Sequence, residues 1–172
     1  MILFAGALVT ACAGGGDVPG ADALSVRGEA HVYQKLAQAT ALSVRGAGMS
    51  SDKVLSCEVS EADRIRLAAL LAQTQERTEK LNIVGRYSPA FILRFIFRFA
   101  DGSVVRVDPY CVGNLDNKEQ LRNRRPYPRR LLPDEAYREY MRIIGKYIPS
   151  YMEWKEVSVK EYRAVYDEAW GR

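Results

Sequence analysis

A chain of 172 residues is long enough to bury one hydrophobic core and too short for two comfortable ones. Apolar residues make up 48% of it and aromatic residues 10%, which excludes an intrinsically disordered chain. The net charge of +4 is modest but unevenly spread: residues 86–130 carry 10 basic against 4 acidic side chains, while both flanks are near balance, so an anionic partner would meet the middle of the chain.

Ile2 to Val9 (ILFAGALV) is an apolar run as long as the core of an export signal and well short of the roughly 20 residues that a spanning helix needs. Val9-Thr10-Ala11-Cys12 follows it directly. An aliphatic residue and two small ones before a cysteine resemble the lipobox of bacterial lipoproteins. The small side chains suit a peptidase that must hold the chain extended at the scissile bond. The resemblance implies removal of residues 1–11 as a signal peptide and acylation of Cys12. It also implies a domain held outside the cytoplasm at the cell membrane or outer membrane, with membrane lipid as its first partner. Ala13 replaces the aspartate that favours inner-membrane retention, which leans the location outward. One departure is that no Lys or Arg follows Met1. Residues 12–22, with Ala13 to Ala21 reading AGGGDVPGA, have the composition of a flexible tether, leaving 23–172 as the globular domain.

With Cys12 acylated, Cys57 and Cys111 remain. Export would place them where disulfides persist, and an even remainder allows one Cys57 to Cys111 bridge; two separate thiols are the alternative. There is no Cys-x-x-Cys and His31 is the sole histidine, so no metal site and no cofactor is expected.

Ala23 to Gly28 (ALSVRG) recurs as Ala41 to Gly46, with a helix-compatible stretch between the copies. Lys53 to Val59 reads as a strand. Ser60 then opens a helix whose stripe is Leu67, Leu70, Leu71, Thr74, Thr78 and Leu81, with Arg64, Glu76 and Lys80 on the wet side. Phe91, Leu93, Phe95, Phe97 and Phe99 alternate with Ile92, Arg94, Ile96 and Arg98, which predicts a half-buried strand with its rings inward. A three-residue loop with Gly102 left-handed would set Val105 and Val107 among the rings, Asp108 opposite Arg94, and Arg106 opposite Ile96. The far side of the sheet would then be an arginine-rich face with aliphatic patches.

Leu115 to Arg130 reads as a polar loop in which Arg122, Arg124, Arg125, Arg129 and Arg130 surround Pro126, Tyr127 and Pro128. Pro133 with Asp134 and Glu135 predicts a helix start, with Tyr137, Tyr140, Met141, Ile144 and Ile148 as its apolar stripe. Tyr151 to Val157 can form a last strand. Ser158 and Glu161 open a final helix that uses Tyr162, Val165, Tyr166 and Ala169. The expected fold is α+β, a single domain with a mainly antiparallel sheet and amphipathic helices on one face.

No nucleophile elbow, zinc-protease motif, phosphate loop or dinucleotide fingerprint occurs. Asp101, Asp108 and Asp116 lie close along the chain, so an envelope hydrolase using a carboxylate pair stays open as an alternative. Guanidinium groups recognise phosphate and carboxylate through paired donors. Arg94, Arg98 and Arg106 on the sheet, with Arg122, Arg124, Arg125, Tyr127, Arg129 and Arg130 in the loop, therefore form the candidate surface for an anionic envelope polymer or protein. The bland reading of the loop is a solvated segment. A nucleic-acid partner would require an unprocessed N-terminus in the cytoplasm. The expectation is a non-catalytic, membrane-anchored interaction protein.

Overall fold

The computed structural model describes residues 30–48, 52–77, 91–117, 129–150 and 153–171. In chain order they form α1 (Ala30–Lys35), β1 (Ala41–Gly48), β2 (Lys53–Glu58), α2 (Glu61–Ala72), β3 (Gln75–Glu76), β4 (Phe91–Arg98), β5 (Val104–Val107), β6 (Val112–Asn114), β7 (Arg130–Leu132), α3 (Asp134–Ile144), β8 (Lys155–Glu156) and α4 (Val159–Trp170). Five strands build an antiparallel sheet in the order β5-β4-β1-β2-β8, and β3, β7 and β6 build a smaller mixed one. The α+β class and the mainly antiparallel sheet are as expected.

Strand β4 organises the interior. Leu93, Phe95 and Phe97 lie opposite Gly46, Val44 and Leu42 of β1, and on that face they join Leu67, Leu70 and Leu71 of α2 and Tyr140, Ile143 and Ile144 of α3. The predicted hairpin register holds: Phe99 N–H donates to Ser103 O, Gly102 has φ +80°, and Phe95, Ile96 and Phe97 face Val107, Arg106 and Val105. A slip of one residue would have turned every ring to the other side. The second copy of the repeated hexapeptide is the start of β1; the first copy lies outside the described residues.

The expected open arginine face is covered instead. Ile92 and Ile96, with Ala47 and Val54 beside them, are buried on the second face, and α4 packs there against β1, β4 and β2 with Ala169 inward. A strand that is apolar on both sides belongs in the middle of a sandwich, because two buried isoleucines stabilise a cover by a few kcal/mol. α2 and α3 lie on the first face as predicted, and α4 makes a further layer on the second.

Two local expectations for α2 change. Its apolar stripe predicts a helix through Thr74 to Leu81, but α2 stops at Ala72, where Thr74 Oγ1 donates to Leu71 O at 2.6 Å and Gln75–Glu76 pair with β7. Thr78 and Leu81 lie outside the described residues. Arg64, predicted on the wet side, is buried with its guanidinium donating to the Ala39 carbonyl, which anchors the turn before β1. Both terminal caps of α4 are present: a Ser158/Glu161 capping box, and Gly171 at φ +86°. No helix among the described residues is long and apolar enough to cross a membrane.

Candidate functional site

Three neighbouring strands send arginines to the second face, and three of these side chains, Arg45, Arg98 and Arg106, meet α4 at Glu168. Arg45 on β1 donates from Nε to Glu168 Oε2 at 2.9 Å, and from Nη2 to Glu58 Oε1 at 2.7 Å. Its Nη1 reaches the carbonyls of Val44 and Cys57 at 3.1 and 3.2 Å. Arg98 on β4 donates to Ser43 Oγ at 2.7 Å and to Glu168 Oε1. Arg106 on β5 donates from Nε to the Glu168 carbonyl at 2.9 Å, and its guanidinium lies against Gly171. A cation at the last turn of a helix opposes the negative end of its dipole, so Arg106 caps α4. Burial lowers the Arg106 pKa from its ordinary value; Glu168 opposes that shift and the nearby Arg98 adds to it. Arg45 and Arg98 share the Glu168 carboxylate, Arg45 also holds the exposed Glu58, and Arg106 takes the Glu168 backbone carbonyl, so these three guanidinium groups outnumber the two carboxylates bonded to them.

Of the sheet arginines predicted to meet a partner, Arg94 is 4% exposed and bonds to Leu93 O at 2.7 Å and Asp108 Oδ2 at 3.4 Å. Arg98 and Arg106 are engaged with α4 as described above. These three are therefore not on an open face, since two isoleucines beside them required a cover. Arg130, predicted in a solvated loop, is buried on β7, where it donates to Thr74 Oγ1 and Thr74 O, both at 2.9 Å, and lies 4.4 Å from the Tyr33 ring centre. Its neighbours Leu131 and Leu132 pull it in: the segment pairs with β6 on one side and β3 on the other. Arg129 is exposed. Cys12, Arg122, Arg124, Arg125 and Tyr127 lie outside the described residues.

The Cys57 to Cys111 bridge is absent and both thiols are free. Cys57 sits on β2 and Cys111 in the turn after β5, at strands separated by β1 and β4. Three strand spacings amount to roughly 14 Å. A disulfide needs Cα atoms within about 7 Å. Cys111 instead adjoins Tyr33, and burial, reinforced by the Asp108 carboxylate, pushes its thiol up to about 12 against the Tyr33 hydrogen bond, Arg130 and Arg94. Burial also raises Cys57.

Because the folded thiol holds its proton above the unfolded value of about 8.5, the folded state binds more protons across that window. Its stabilisation is complete below pH 8.5 and is lost as pH rises, with a limiting slope of about 1.4 kcal/mol per pH unit for each thiol. Urea unfolding between pH 8 and 9.5 should show stability falling, and Cys111→Ala should reduce the slope without abolishing it, since Cys57 remains. An unchanged slope would place the cause elsewhere.

The three aspartates of the hydrolase alternative are each occupied by local structure. Asp101 accepts from Ser103 N at 2.9 Å, Asp108 accepts from Tyr110 N at 2.8 Å and pairs with Arg94, and Asp116 accepts from Asp134 N at 2.8 Å. A polar clasp unrelated to any of them joins the end of α3 to the start of α2: Tyr147 Oη donates to Asp63 Oδ2 at 2.6 Å while Lys146 Nζ meets both Asp63 oxygens at 2.9 and 3.0 Å. These bonds hold the Asp63 carboxyl below the usual carboxylate range, the Tyr147 bond most. Among the described residues no group of three potential metal ligands forms. His31 falls in α1.

Sequence reasoning missed Arg45, Glu58 and Glu168. The signal was available in part: Arg45 alternates with the apolar Val44, and Glu168 follows Glu161 by two helical turns on the side of α4 that faces the sheet. The chain matches no protein-family model, no curated protein and no solved structure.

Proposed function

We propose that this chain is a bacterial envelope lipoprotein whose α+β domain is a binding or docking module held at a membrane by an acylated Cys12. The observation that carries this reading is the order of three features: the apolar run Ile2 to Val9, the lipobox-like Val9-Thr10-Ala11-Cys12, and the Gly-rich Ala13 to Ala21. Each part has its own physical purpose: a core for export, small residues at a cleavage point, and a spacer too rich in Gly, Ala and Pro to bury the surface that folding needs. A single acyl chain binds a membrane marginally, whereas the two or three chains of a processed lipoprotein anchor it firmly.

For the module itself, the anionic envelope contact rests on Arg122, Arg124, Arg125, Tyr127 and Arg129. Arg94, Arg98, Arg106 and Arg130 are withdrawn from that contact by the intramolecular bonds given above. Fractionation of cells expressing the full chain, followed by mass analysis of its N-terminal peptide, tests the anchor. The expected result is a peptide starting at a diacylated or triacylated Cys12, and a shift of Cys12→Ala to unprocessed or soluble material. Recovery of intact Met1 in the cytosol would end the proposal. In the same preparation, Arg124→Ala, Arg125→Ala and Arg129→Ala together should weaken salt-sensitive retention on anionic envelope material. Unchanged retention at low salt would remove the loop from the contact.

A further inference from the structure

We infer that α4 is a detachable cover over the arginine-bearing face of the sheet, and that this face, once bared, accepts an acidic amphipathic helix from a partner protein. The inference deepens the binding-module reading and rests on it.

The first support is how little of α4 is held by burial. Of its twelve residues only Ala169 is buried, whereas α2 buries Leu67, Ala68, Leu70 and Leu71, and α3 buries Tyr137, Tyr140, Ile143 and Ile144. The polar ties of α4 to the sheet include the bonds around Glu168 and one from Tyr162 Oη to Gly48 O at 2.6 Å. Segments with few buried apolar contacts open at lower free energy than the core, and ionic ties weaken with salt.

The second support is that α4 is complete as a helix without its seat. The capping box satisfies its first amides, left-handed Gly171 closes its end, and Tyr162, Tyr166 and Trp170 stack at one-turn intervals with ring centres 6.0 and 6.1 Å apart. Spacing of i,i+4 is the one that supports an isolated helix.

The third support is the chemistry left behind. Departure of α4 would bare Arg45, Arg98 and Arg106 around Ala47, Ile92 and Ile96, with Glu58 still paired to Arg45. An apolar strip flanked by three guanidinium groups fits a helix that offers a small residue for close approach and a carboxylate beside it. α4 itself carries that pair as Glu168-Ala169. In the intact chain the tethered helix outcompetes any helix in solution through its high effective concentration. A partner therefore gains access when the Glu168 tie is loosened.

Amide hydrogen exchange of the full chain at 0.05 and 0.5 M NaCl tests the cover. The expected result is exchange in α4 at least tenfold faster than in α2 and α3, with a further several-fold rise in α4 alone at high salt. Equal protection of the three helices at both salt concentrations would overturn it, and this measurement needs no variant. Glu168→Gln should then raise α4 exchange about tenfold while α2 and α3 keep wild-type protection.

A labelled peptide with the sequence of residues 158–171, titrated by anisotropy, tests the partner class. It should bind the Glu168→Gln chain at least tenfold more tightly than the wild-type chain, and a peptide with Gln in place of its own Glu168 should lose most of that gain. Failure of the peptide to bind the variant, equal binding of both peptides, or preference of the variant for anionic vesicles over the peptide would overturn the helical partner. Neither readout depends on acylation of Cys12, so failure here and failure of the envelope reading are separable.

Discussion

Phe95→Ala is expected to destabilise the chain by about 3–5 kcal/mol, the cost of emptying an aromatic site that the surrounding core cannot close. Phe95 is fully buried in β4, with Val44 of β1 on one side and Val107 of β5 on the other, and it packs in the cluster shared by α2 and α3. A loss of that size is a large part of the 5–15 kcal/mol that a domain typically has. It corresponds to a fall in Tm of roughly 6–20 °C for a chain of this length. Urea unfolding should show a lower midpoint with an unchanged m-value. Ile96→Ala is the informative companion, because Ile96 is equally buried but lies under α4. It should cost about 2–4 kcal/mol and should accelerate exchange in α4 more than in α2. A loss below about 1 kcal/mol for Phe95→Ala would mean that the rings do not form the main core.

Gly46→Ala should also destabilise, by about 1–3 kcal/mol, although it adds a single methyl group. A Cβ at this position would stand 2.8 Å from the Trp154 ring, 2.9 Å from Leu93 Cδ1 and 3.0 Å from the Ile92 carbonyl. The last neighbour is backbone and cannot give way by rotation. Trp154 is itself held: it meets Phe91 edge to face with ring centres 5.1 Å apart, and its indole N–H donates to Pro149 O at 3.4 Å. The expected result is a lower unfolding midpoint together with a shift of Trp154 fluorescence, read in a Trp170→Phe background because the chain has 2 tryptophans. Trp154→Phe in the same chain should recover part of the Gly46→Ala loss, since it removes the closest clash and leaves the other two. Additivity of the two substitutions would show that the ring and the glycine do not touch.

These two sites mark different depths of legibility. The role of Phe95 follows from alternation along a strand, a property of adjacent residues. That of Gly46 depends on where Trp154, more than 100 positions later, comes to rest, and nothing near Gly46 announces it. The same contrast runs through the candidate surface. Hairpin register alone pairs Arg94 with Asp108, and the structure has that ion pair. The same register sets Arg98 and Arg106 on one face, as the structure has them, yet whether that face meets water depends on the path of α4.

By itself the sequence determined the periodic elements and their local punctuation: the phenylalanine strand, the left-handed Gly102 loop, the Ser60 and Ser158 caps and the amphipathic stripe of α3. Each is set by interactions among residues a few positions apart. Only the tertiary structure decided that α4 covers the arginines, that Arg64 and Arg130 are buried, and that Cys57 and Cys111 stay apart. These outcomes turn on which layers meet. Burial free energy grows with the apolar area that any cover removes from water, whichever element supplies it, so the pattern along one strand can require a cover without naming it.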